Sequence, residues 1–460
     1  GYEALYPVEA DQRQFASEKK YDIDFSAFNI NGRMFGAIGE TPRADLNALD
    51  VKLSATFGRK NPVTVPAPYI LPAIAKLDWQ DYYIGAALFG IPAVIGESAV
   101  WRDLGLRLER GVLSDAPLLA TMKSTYDRYA GQGGEMILQC NPDDERLQVA
   151  EYAIGEKGFK TIELKFGQAA KGIQHMGLVY DIETASRLKT KGSLVIPDPD
   201  DEKVKEYISS GGRVIFQQIG RLPYYDEEHI VRRVARLREL GAERVAFKTA
   251  GYDKNDILRL LKIASEAGVD MITFDGAGGG TGNSPCRMMN EWGLPTVYLE
   301  SLVAHISDEL NVKGFDLPQI TIAGGLALED HIFKAFALGA PFIGFVAIGR
   351  AAMAAAMSAK NVGSLLDAGK LSPQLQKYGT TREDLFPASW ELTARYGKKE
   401  ADTIPTGAIG VYSYLCRITL GLRQLVALNR KFALRYLDKS DLLPLNSDAV
   451  SLLNGTFDIR

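Results

Sequence analysis

The sequence is poor in cysteine and histidine. Its 460 residues contain three cysteines, Cys140, Cys286 and Cys416, which lie far apart, and four equally scattered histidines. This spacing excludes a CxxC pair, a local zinc motif and a disulfide framework, so we expect no metal site. A reducing, cytoplasmic location is expected. The sequence begins at Gly1 rather than at methionine, which leaves room for an upstream signal or anchor.

The sequence also lacks an excess of positive charge and a clear membrane-spanning segment. Its 53 Lys and Arg stand against 57 Asp and Glu, and a net charge of −4 does not indicate a nucleic-acid partner. We interpret the pair Arg232-Arg233 as part of a solvated helix face. The longest apolar stretch, 337–359, has Gly-Ala-Pro near its start and contains Arg350. It therefore favours a buried strand followed by a helix over a membrane span.

Between residues 64 and 358, short β-type segments alternate with helical segments, which is typical of a parallel α/β architecture. Several strand segments are almost continuously apolar, as expected when both faces are covered. Nine strands are predicted, and 194–197 is a further candidate. The nine are 65–71, 91–96, 135–139, 161–166, 213–217, 244–249, 271–275, 319–323 and 342–348. Because a (β/α)₈ barrel has eight strands, one or two segments should lie outside it.

Helical segments that stop at glycine separate these strands. The clearest are 226–240, 255–267 and 329–338, which are followed by Gly241, Gly268 and Gly339. We therefore predict an α/β protein with a (β/α)₈ TIM barrel over residues 61–360. Residues 1–60 should form an irregular N-terminal arm. Residues 361–460 show no strand alternation and should form a helical C-terminal extension with one long amphipathic helix at 407–431.

Glycines follow the last two predicted strands. Gly324 and Gly325 end one strand, and Gly349 and Arg350 connect the other to a helix. In (β/α)₈ enzymes these two positions commonly bind a phosphate through main-chain N–H groups and a helix N-terminus. Arg350 can add a charge-assisted contact. The alternative is two tight turns and a surface arginine.

A third glycine-rich segment, 274–285, follows the predicted strand 271–275. Glycine is costly in regular structure, at about 0.5–1 kcal/mol for each residue, so such a run is not a device for stability. It suits a loop that lies flat against a planar ligand, and the alternative is a flexible surface loop. The candidate ligand-binding residues here are Asp275, Gly279, Gly280 and Thr281.

Polar side chains end two further strands. Lys248 ends an apolar run, where it either caps the strand in solvent or faces the barrel mouth. At and just beyond the strand 161–166 lie Lys165, Gln168 and Lys171. Two cations and an amide suit a dicarboxylate or a keto acid, whereas the alternative is a solvated turn.

Together these segments resemble the FMN-binding synthase domain of the glutamate synthase family, over roughly residues 60–360. The resemblance implies that the three glycine segments bind FMN and that Lys248 contacts the flavin. It also implies that Gln168 and Lys171 bind 2-oxoglutarate and that Glu97 matches an acid beside substrate and flavin. Catalytic roles would then belong to Glu97, Lys248 and Lys171.

The sequence also departs from the family pattern. The family's three cluster-binding cysteines are absent from residues 353–363, which implies that there is no [3Fe–4S] cluster. No segment resembles the family's amidotransferase domain, so this chain should not release ammonia from glutamine by itself. Ser98 and Ala99 replace two glycines after Glu97, and the segment after Lys171 is shortened. The substrate can therefore differ.

The expected function is that of an FMN-dependent oxidoreductase that reduces an imine of a 2-oxo acid, such as 2-iminoglutarate. Alternatives are an N-methylglutamate synthase-like subunit, an enzyme reducing another small acid, a non-redox phosphate-binding isomerase or aldolase, and a catalytically silent partner subunit. No GxGxxG motif joins a strand to a helix, so electrons should come from an external ferredoxin, pyridine nucleotide or partner flavoprotein. Partner subunits or a homo-oligomer are compatible with this function.

Overall fold

A closed barrel of eight parallel strands forms the centre of the computed structural model, which confirms the predicted fold class. The structure describes residues 13–14, 19, 21, 23–74, 78–131, 133–167, 176–222, 226–279, 284–285 and 291–455. The barrel strands are β1 Tyr69–Ile74, β2 Ala93–Ile95, β3 Met136–Cys140, β4 Thr161–Lys165, β5 Arg244–Ala250, β6 Met271–Asp275, β7 Gln319–Ala323 and β8 Ile343–Ala347. They pair in chain order, and β8 closes the barrel on β1.

One main helix follows each barrel strand. The helices are α1 Trp79–Phe89, α2 Pro117–Asp127, α3 Val149–Lys157, α4 Glu227–Glu239, α5 Lys254–Glu266, α6 Thr296–Val312, α7 Glu329–Leu338 and α8 Arg350–Asp367. The three helices predicted from glycine stops are confirmed as α4, α5 and α7. Side chains of Asp226 and Asp253 cap the main-chain N–H groups at the starts of α4 and α5, as acidic N-caps do elsewhere.

The first predicted strand was placed wrongly. The segment 65–71 is divided between two strands, Val63–Val65 and β1. Val63–Val65 pairs with Ala55–Phe57 in an antiparallel hairpin outside the barrel. Pro66 and Pro68 lie between the two strands, and proline has no N–H group to donate to a sheet.

Two predicted strands lie in an insertion between β4 and α4. Phe216–Ile219 is the central strand of a three-stranded antiparallel sheet, with Leu194–Ile196 and Met176–Val179 at its edges. The predicted strands 213–217 and 194–197 are therefore outside the barrel, as the excess of candidates required. Met176–Val179 was not predicted. Helices Ile182–Thr190 and Glu202–Ser209 complete the insertion.

The arm and the extension contact one another. A long helix, α9 (Thr406–Leu428), is present close to the predicted 407–431. The extension is not free of strands, because Leu442–Pro444 pairs antiparallel with Phe28–Ile30 of the arm.

The remaining elements are the strands Arg13–Gln14, Arg107–Glu109, Val112–Asp115 and Ser284–Pro285, and the helical segments Phe25–Ala27, Ala48–Asp50, Ala99–Arg102, Pro142–Arg146, Pro373–Gln376, Arg382–Leu385, Ala388–Tyr396, Lys398–Ala401, Leu434–Tyr436, Lys439–Asp441 and Ser447–Asn454.

The interpretations of the apolar stretch 337–359 and of the pair Arg232-Arg233 can be compared with the structure. The apolar stretch 337–359 contains β8 followed by the first half of α8, as predicted. Among the described residues, no helix combines the length and apolarity that a membrane span requires. The interpretation of Arg233 as solvated was wrong. Its guanidinium pairs with Glu145 and Glu151 and the side chain is 11% exposed, whereas Arg232 is largely exposed.

Candidate functional site

Two consecutive glycines form the turn that follows β7. Gly324 and Gly325 have φ of +119° and +78°, a region that glycine enters without strain. The hydroxyl of Thr296 on α6 donates to the carbonyl oxygen of Gly324 at 2.9 Å. This hydrogen bond attaches the turn to α6. Among the described residues, no atom lies within 4 Å of a Cβ placed on Gly325. The main chain at Gly325 is therefore open to a ligand.

The loop after β8 leads directly into a helix. Gly349 is the N-cap of α8, and Arg350 is its first residue. The first N–H groups of a helix have no partners within the helix and favour an anion. The guanidinium of Arg350 donates to the carbonyl oxygen of Gly278, in the segment that follows β6. A Cβ on Gly278 would lie 3.0 Å from the main-chain N of Gly325. The three predicted glycine segments therefore meet.

The glycine segment after β6 turns back on its own strand. The main-chain N–H of Gly279 donates to the carbonyl oxygen of Gly276 at 2.7 Å. This turn brings Gly279 so close to the carboxylate of Asp275 that a Cβ there would collide with it. Gly280 and Thr281, the other two predicted residues of this segment, lie outside the described residues.

Lys248 is buried in the barrel and does not cap its strand in solvent. The side chain lies on β5, the residue is 5% exposed, and Nζ is 3.4 Å from a carboxylate oxygen of Asp275 on β6. Burial lowers the pKa of Lys248, but the negative charges of Asp275 and Glu163 outweigh this effect and leave the pKa raised. Lys248 therefore remains a positive charge inside the barrel at ordinary pH.

A second ion pair joins the ends of β2 and β4. The Nζ of Lys165 donates to Glu97, and their side chains are 7% and 12% exposed. Two residues earlier on β4, the buried carboxyl of Glu163 accepts from the amide of Gln139 at 2.5 Å. Burial raises the pKa of Glu163, although Lys248, Gln139 and Lys165 act in the opposite direction. Two lysines thus lie among several buried or nearly buried carboxyls.

Asp144 fixes the turn that carries Glu97. Its Oδ2 accepts from the main-chain N–H groups of Ser98 at 2.9 Å and Asn141 at 3.1 Å. The Asn141 amide also donates to the Ser98 hydroxyl at 2.9 Å. Burial raises the pKa of Asp144 to about 7, while the two main-chain hydrogen bonds act in the opposite direction. This buried carboxyl therefore fixes the turn that directly follows Glu97 in the chain.

Sequence reasoning missed Gln139, Glu163 and Asp144. Gln139 had a signal, because it is a polar residue inside an otherwise apolar strand, where a side chain needs a partner. Glu163 had a weaker one, because its strand also contains the polar Thr161 and Lys165. The signal for Asp144 was the capping box at the start of helix Pro142–Arg146, in which Asn141 and Asp144 cap each other's main chain.

Some predicted residues are not described. Of the predicted substrate-binding residues, Lys165 is described, whereas Gln168 and Lys171 lie outside the described residues. Cys140 ends β3 and Cys416 lies on α9, and Cys286 is also outside the described part. In that part, no group of three or more His, Cys, Asp or Glu side chains is arranged to hold a metal ion.

The fold and its loops define a (β/α)₈ barrel with glycine-rich turns at the carboxyl ends of β6, β7 and β8. Residues 220–361 match the family described as the conserved region in glutamate synthase. This segment contains β5 to β8 and all three turns. The resemblance to the glutamate synthase family that the motifs indicated is confirmed, and this part of the barrel is glutamate synthase-like.

Curated relatives match a longer part of the chain. The archaeal-type glutamate synthase (NADPH) of Dehalococcoides mccartyi is 24% identical over 264 residues, which cover 55% of this chain and 46% of that protein. The glutamate synthase large subunit-like protein YerD of Bacillus subtilis is 25% identical over 269 residues, which cover 55% and 48%. The chain therefore spans about half the length of the curated relatives it matches.

A solved structure supports the fold. The flavin-binding domain of baker's yeast flavocytochrome b2 aligns with a TM-score of 0.50 and 12% sequence identity. The alignment covers 94% of this chain and 79% of that one. At this identity the likeness concerns the fold alone, and it agrees with the closed parallel barrel.

Proposed function

We propose that this chain is an FMN-dependent oxidoreductase of the glutamate synthase type, acting on a small 2-oxo acid or its imine. The observation that carries the proposal is the meeting of three glycine segments, after β6, β7 and β8. They offer one anion site built from main-chain N–H groups, which suits the single phosphate of FMN. The family match over residues 220–361 supports the same function.

The described residues fit the cofactor. Open space lies beside the main chain of Gly325, and the 18-residue helix α8 presents its N-terminus at Gly349. Arg350 adds a positive charge at the same place, which favours a phosphate. These residues and Gly324 would hold the phosphate. The segment after β6, including Asp275, Gly279, Gly280 and Thr281, would lie against the ring system.

Once it is bound and reduced by the external electron donor, FMN would supply the hydride that reduces the acceptor. Lys248 would place its positive charge beside the ring system, where it favours negative charge on the cofactor. Asp275 contacts the Lys248 ammonium at 3.4 Å and would orient it. Because the negative charges of Asp275 and Glu163 raise the pKa of Lys248 in spite of its burial, this charge would not be lost near neutral pH.

The pair of Lys165 and Glu97 suits an acidic substrate. A carboxylate that enters the site would compete with Glu97 for the Lys165 ammonium, and the nearly buried lysine has little water to bind instead. Release from Lys165 would leave Glu97 able to accept or deliver a proton. Gln168 and Lys171 would bind the rest of the acid, as the resemblance implies.

The remaining parts of the proposal concern partners. We infer an external electron donor, which is a ferredoxin, a pyridine nucleotide or a partner flavoprotein. The name of the Dehalococcoides mccartyi relative includes NADPH, which supports a pyridine nucleotide. No iron–sulfur cluster is proposed, because the family's cysteines are absent from residues 353–363. We also propose a cytoplasmic location and an assembly, either with partner subunits or as a homo-oligomer. No nucleic-acid partner is proposed.

The proposed phosphate site can be tested with Gly325→Val. A β-branched residue at φ +78° is strained, and relief of the strain would move the loop. We expect FMN to bind at least about tenfold more weakly, which corresponds to about 1.4 kcal/mol. Fluorescence titration of FMN measures this. The control is Gly369→Val, because Gly369 also has positive φ (+64°) and free space but lies beyond the far end of α8.

The wild-type protein provides the test of the function itself. It should bind FMN, and 2-oxoglutarate added to the FMN-loaded protein should change the visible flavin spectrum in a saturable way. A protein that cannot be loaded with FMN would refute the proposal and favour a non-redox barrel. Full FMN loading without a response to any 2-oxo acid would refute the proposed substrate class.

A further inference from the structure

The helix α9 of the C-terminal extension lies against the ring of barrel helices. It packs on α1, α7 and α8. Two close contacts fix its position: a Cβ on Gly410 would collide with Ala359 of α8, and one on Gly85 of α1 would collide with Val411 of α9. The helix α9 is therefore packed closely against α8, the helix whose N-cap is Gly349.

One face of α9 follows the loop between β7 and α7. The hydroxyl of Tyr414 donates to the carbonyl oxygen of Ala327 at 2.6 Å. One turn later, Arg417 is 3.4 Å from the carboxylate of Glu329, and a Cβ on Gly421 would lie 2.8 Å from that carboxylate. Residues three and four apart share one face of a helix, so these contacts form a continuous line.

Gly325 belongs to the turn proposed to bind the phosphate, and Ala327 follows it two residues later in the chain. Burial raises the pKa of the Tyr414 hydroxyl, which therefore stays protonated and donates at every relevant pH. A donated hydrogen bond fixes the direction of the Ala327 carbonyl. Because the peptide unit of Ala327 directly follows the turn in the chain, this hydrogen bond also restricts the direction of the main chain at Gly325.

The loop after β8 is held in the same manner. The hydroxyl of Tyr82 on α1 lies 3.2 Å from the carbonyl oxygen of Pro72 and 3.5 Å from that of Ile348, the residue before Gly349. Burial raises the pKa of the Tyr82 hydroxyl, and the neighbouring Tyr83 and Tyr414 act in the same direction. Two tyrosine hydroxyls from the surrounding helices thus contact main-chain carbonyls near both halves of the anion site.

We propose that Tyr414 is a positioning residue for the anion-binding turn, which makes the C-terminal extension a part of the cofactor site. This inference rests on the proposed function. The hydroxyl of Tyr414 is used by the Ala327 carbonyl, so in this proposal it does not act on the cofactor directly. It acts through the Ala327 carbonyl, and so it should affect ligands that carry a phosphate and spare those that do not.

The test compares FMN with riboflavin, which has the same ring system but no phosphate. Tyr414→Phe removes one hydroxyl and keeps the ring in place. Loss of one neutral hydrogen bond should weaken FMN binding by about fivefold, while riboflavin binding is unchanged. The matched control is Tyr412→Phe on the same helix, because its hydroxyl bonds to Glu391 rather than to the loop. Fluorescence titrations give all six affinities.

Three other results would contradict the inference. An unchanged FMN affinity in Tyr414→Phe would show that the hydrogen bond does not position the turn. An equal loss for FMN and riboflavin, or an equal loss in Tyr412→Phe, would show a general structural effect. A wild-type protein that binds neither flavin would refute the proposed function itself, a result distinct from these three.

Discussion

Asp144 couples the turn at Glu97 to pH through a single buried carboxyl. Burial raises its pKa from the ordinary 3.8 to about 7 in the folded protein. Between these values the folded state binds more protons than the unfolded state, so stability falls as the pH rises through this window. The slope contributed by the residue is about 1.4 kcal/mol for each pH unit at most.

Asp144→Asn should remove this slope. An asparagine Oδ1 can still accept from the main-chain N–H groups of Ser98 and Asn141, but it cannot ionise. We expect the variant to be more stable than the wild type at pH 8 and similar to it near pH 4. Urea unfolding at a series of pH values measures the difference. Asp127→Asn removes an exposed carboxyl and serves as the control, and parallel curves for the wild type and Asp144→Asn would contradict the argument.

Single residues differed in how far they could be predicted from sequence. The location of Lys248 inside the barrel was one of two alternatives that the sequence offered, because a lysine at the end of an apolar strand either caps the strand in solvent or faces the barrel mouth. Its partner Asp275 was placed in the same site through the glycine segment that follows it. The Lys165–Glu97 pair was not predicted, although both residues were. Which side chains pair across the barrel depends on strand register, and local patterns do not contain it.

At the scale of elements, the close packing of α9 on α8 depends on glycines at the contact, among them Gly410. Gly410 lies against Ala359 and the main chain at Ala355, so a side chain there would force the two helices apart. We expect Gly410→Leu to reduce the free energy of unfolding by about 1–3 kcal/mol, the usual effect of overpacking. Urea unfolding measures this change.

The matched control is Gly155→Leu. Gly155 is also inside a helix, α3, but it is exposed and a Cβ there would meet nothing within 4 Å. Leucine has a higher helix propensity than glycine, so this variant should be neutral or more stable by up to about 1 kcal/mol. Equal destabilisation by both substitutions would show that helix propensity and not packing decides the result.

Elements with complete local signals were predicted well. The helices α4, α5 and α7 have an acidic start, an apolar face and a glycine stop, and all three are present. The segments 194–197 and 213–217 had the composition of barrel strands. The strands found there, Leu194–Ile196 and Phe216–Ile219, instead pair with each other in an antiparallel sheet, and the second begins three residues later than predicted. An apolar β-type segment does not show which sheet it will join, because that depends on partners distant in sequence.

At the scale of the whole molecule, the barrel could be predicted and the contact between the two ends could not. The alternation of strands and helices recurs along the chain and is visible locally. By contrast, Phe28–Ile30 pairs with Leu442–Pro444, and the main-chain N–H of Asn31 donates to the carbonyl oxygen of Asp441 at 2.8 Å. Nothing in either segment alone indicates the other, and so the arm and the extension were treated as separate.

A buried charge cluster holds the joined ends together. Lys431 is 2% exposed and its ammonium pairs with the fully buried carboxylate of Asp441. The Asn429 amide donates to Asp441 at 2.6 Å, and Arg33 of the arm lies 3.4 Å from it. Lys431 also pairs with Asp438, whose side chain is 55% exposed. The cluster therefore links residues of the extension to the arm through one carboxylate.

Lys431→Met should release both ends while the barrel stays folded. Removal of the buried partner leaves Asp441 with much less compensation, and breaking such a pair costs about 3–5 kcal/mol. Because Asp441 contacts both the extension and the arm, protection against hydrogen exchange should fall together in Phe28–Ile30 and Leu442–Pro444, with β5 and β6 unaffected. Asp438→Asn removes the exposed partner and keeps an N-cap, so it should cost at most about 1 kcal/mol. Loss of protection in the extension alone would show that the arm is held independently, and an equal loss in β5 and β6 would show that the ends and the barrel unfold as one unit.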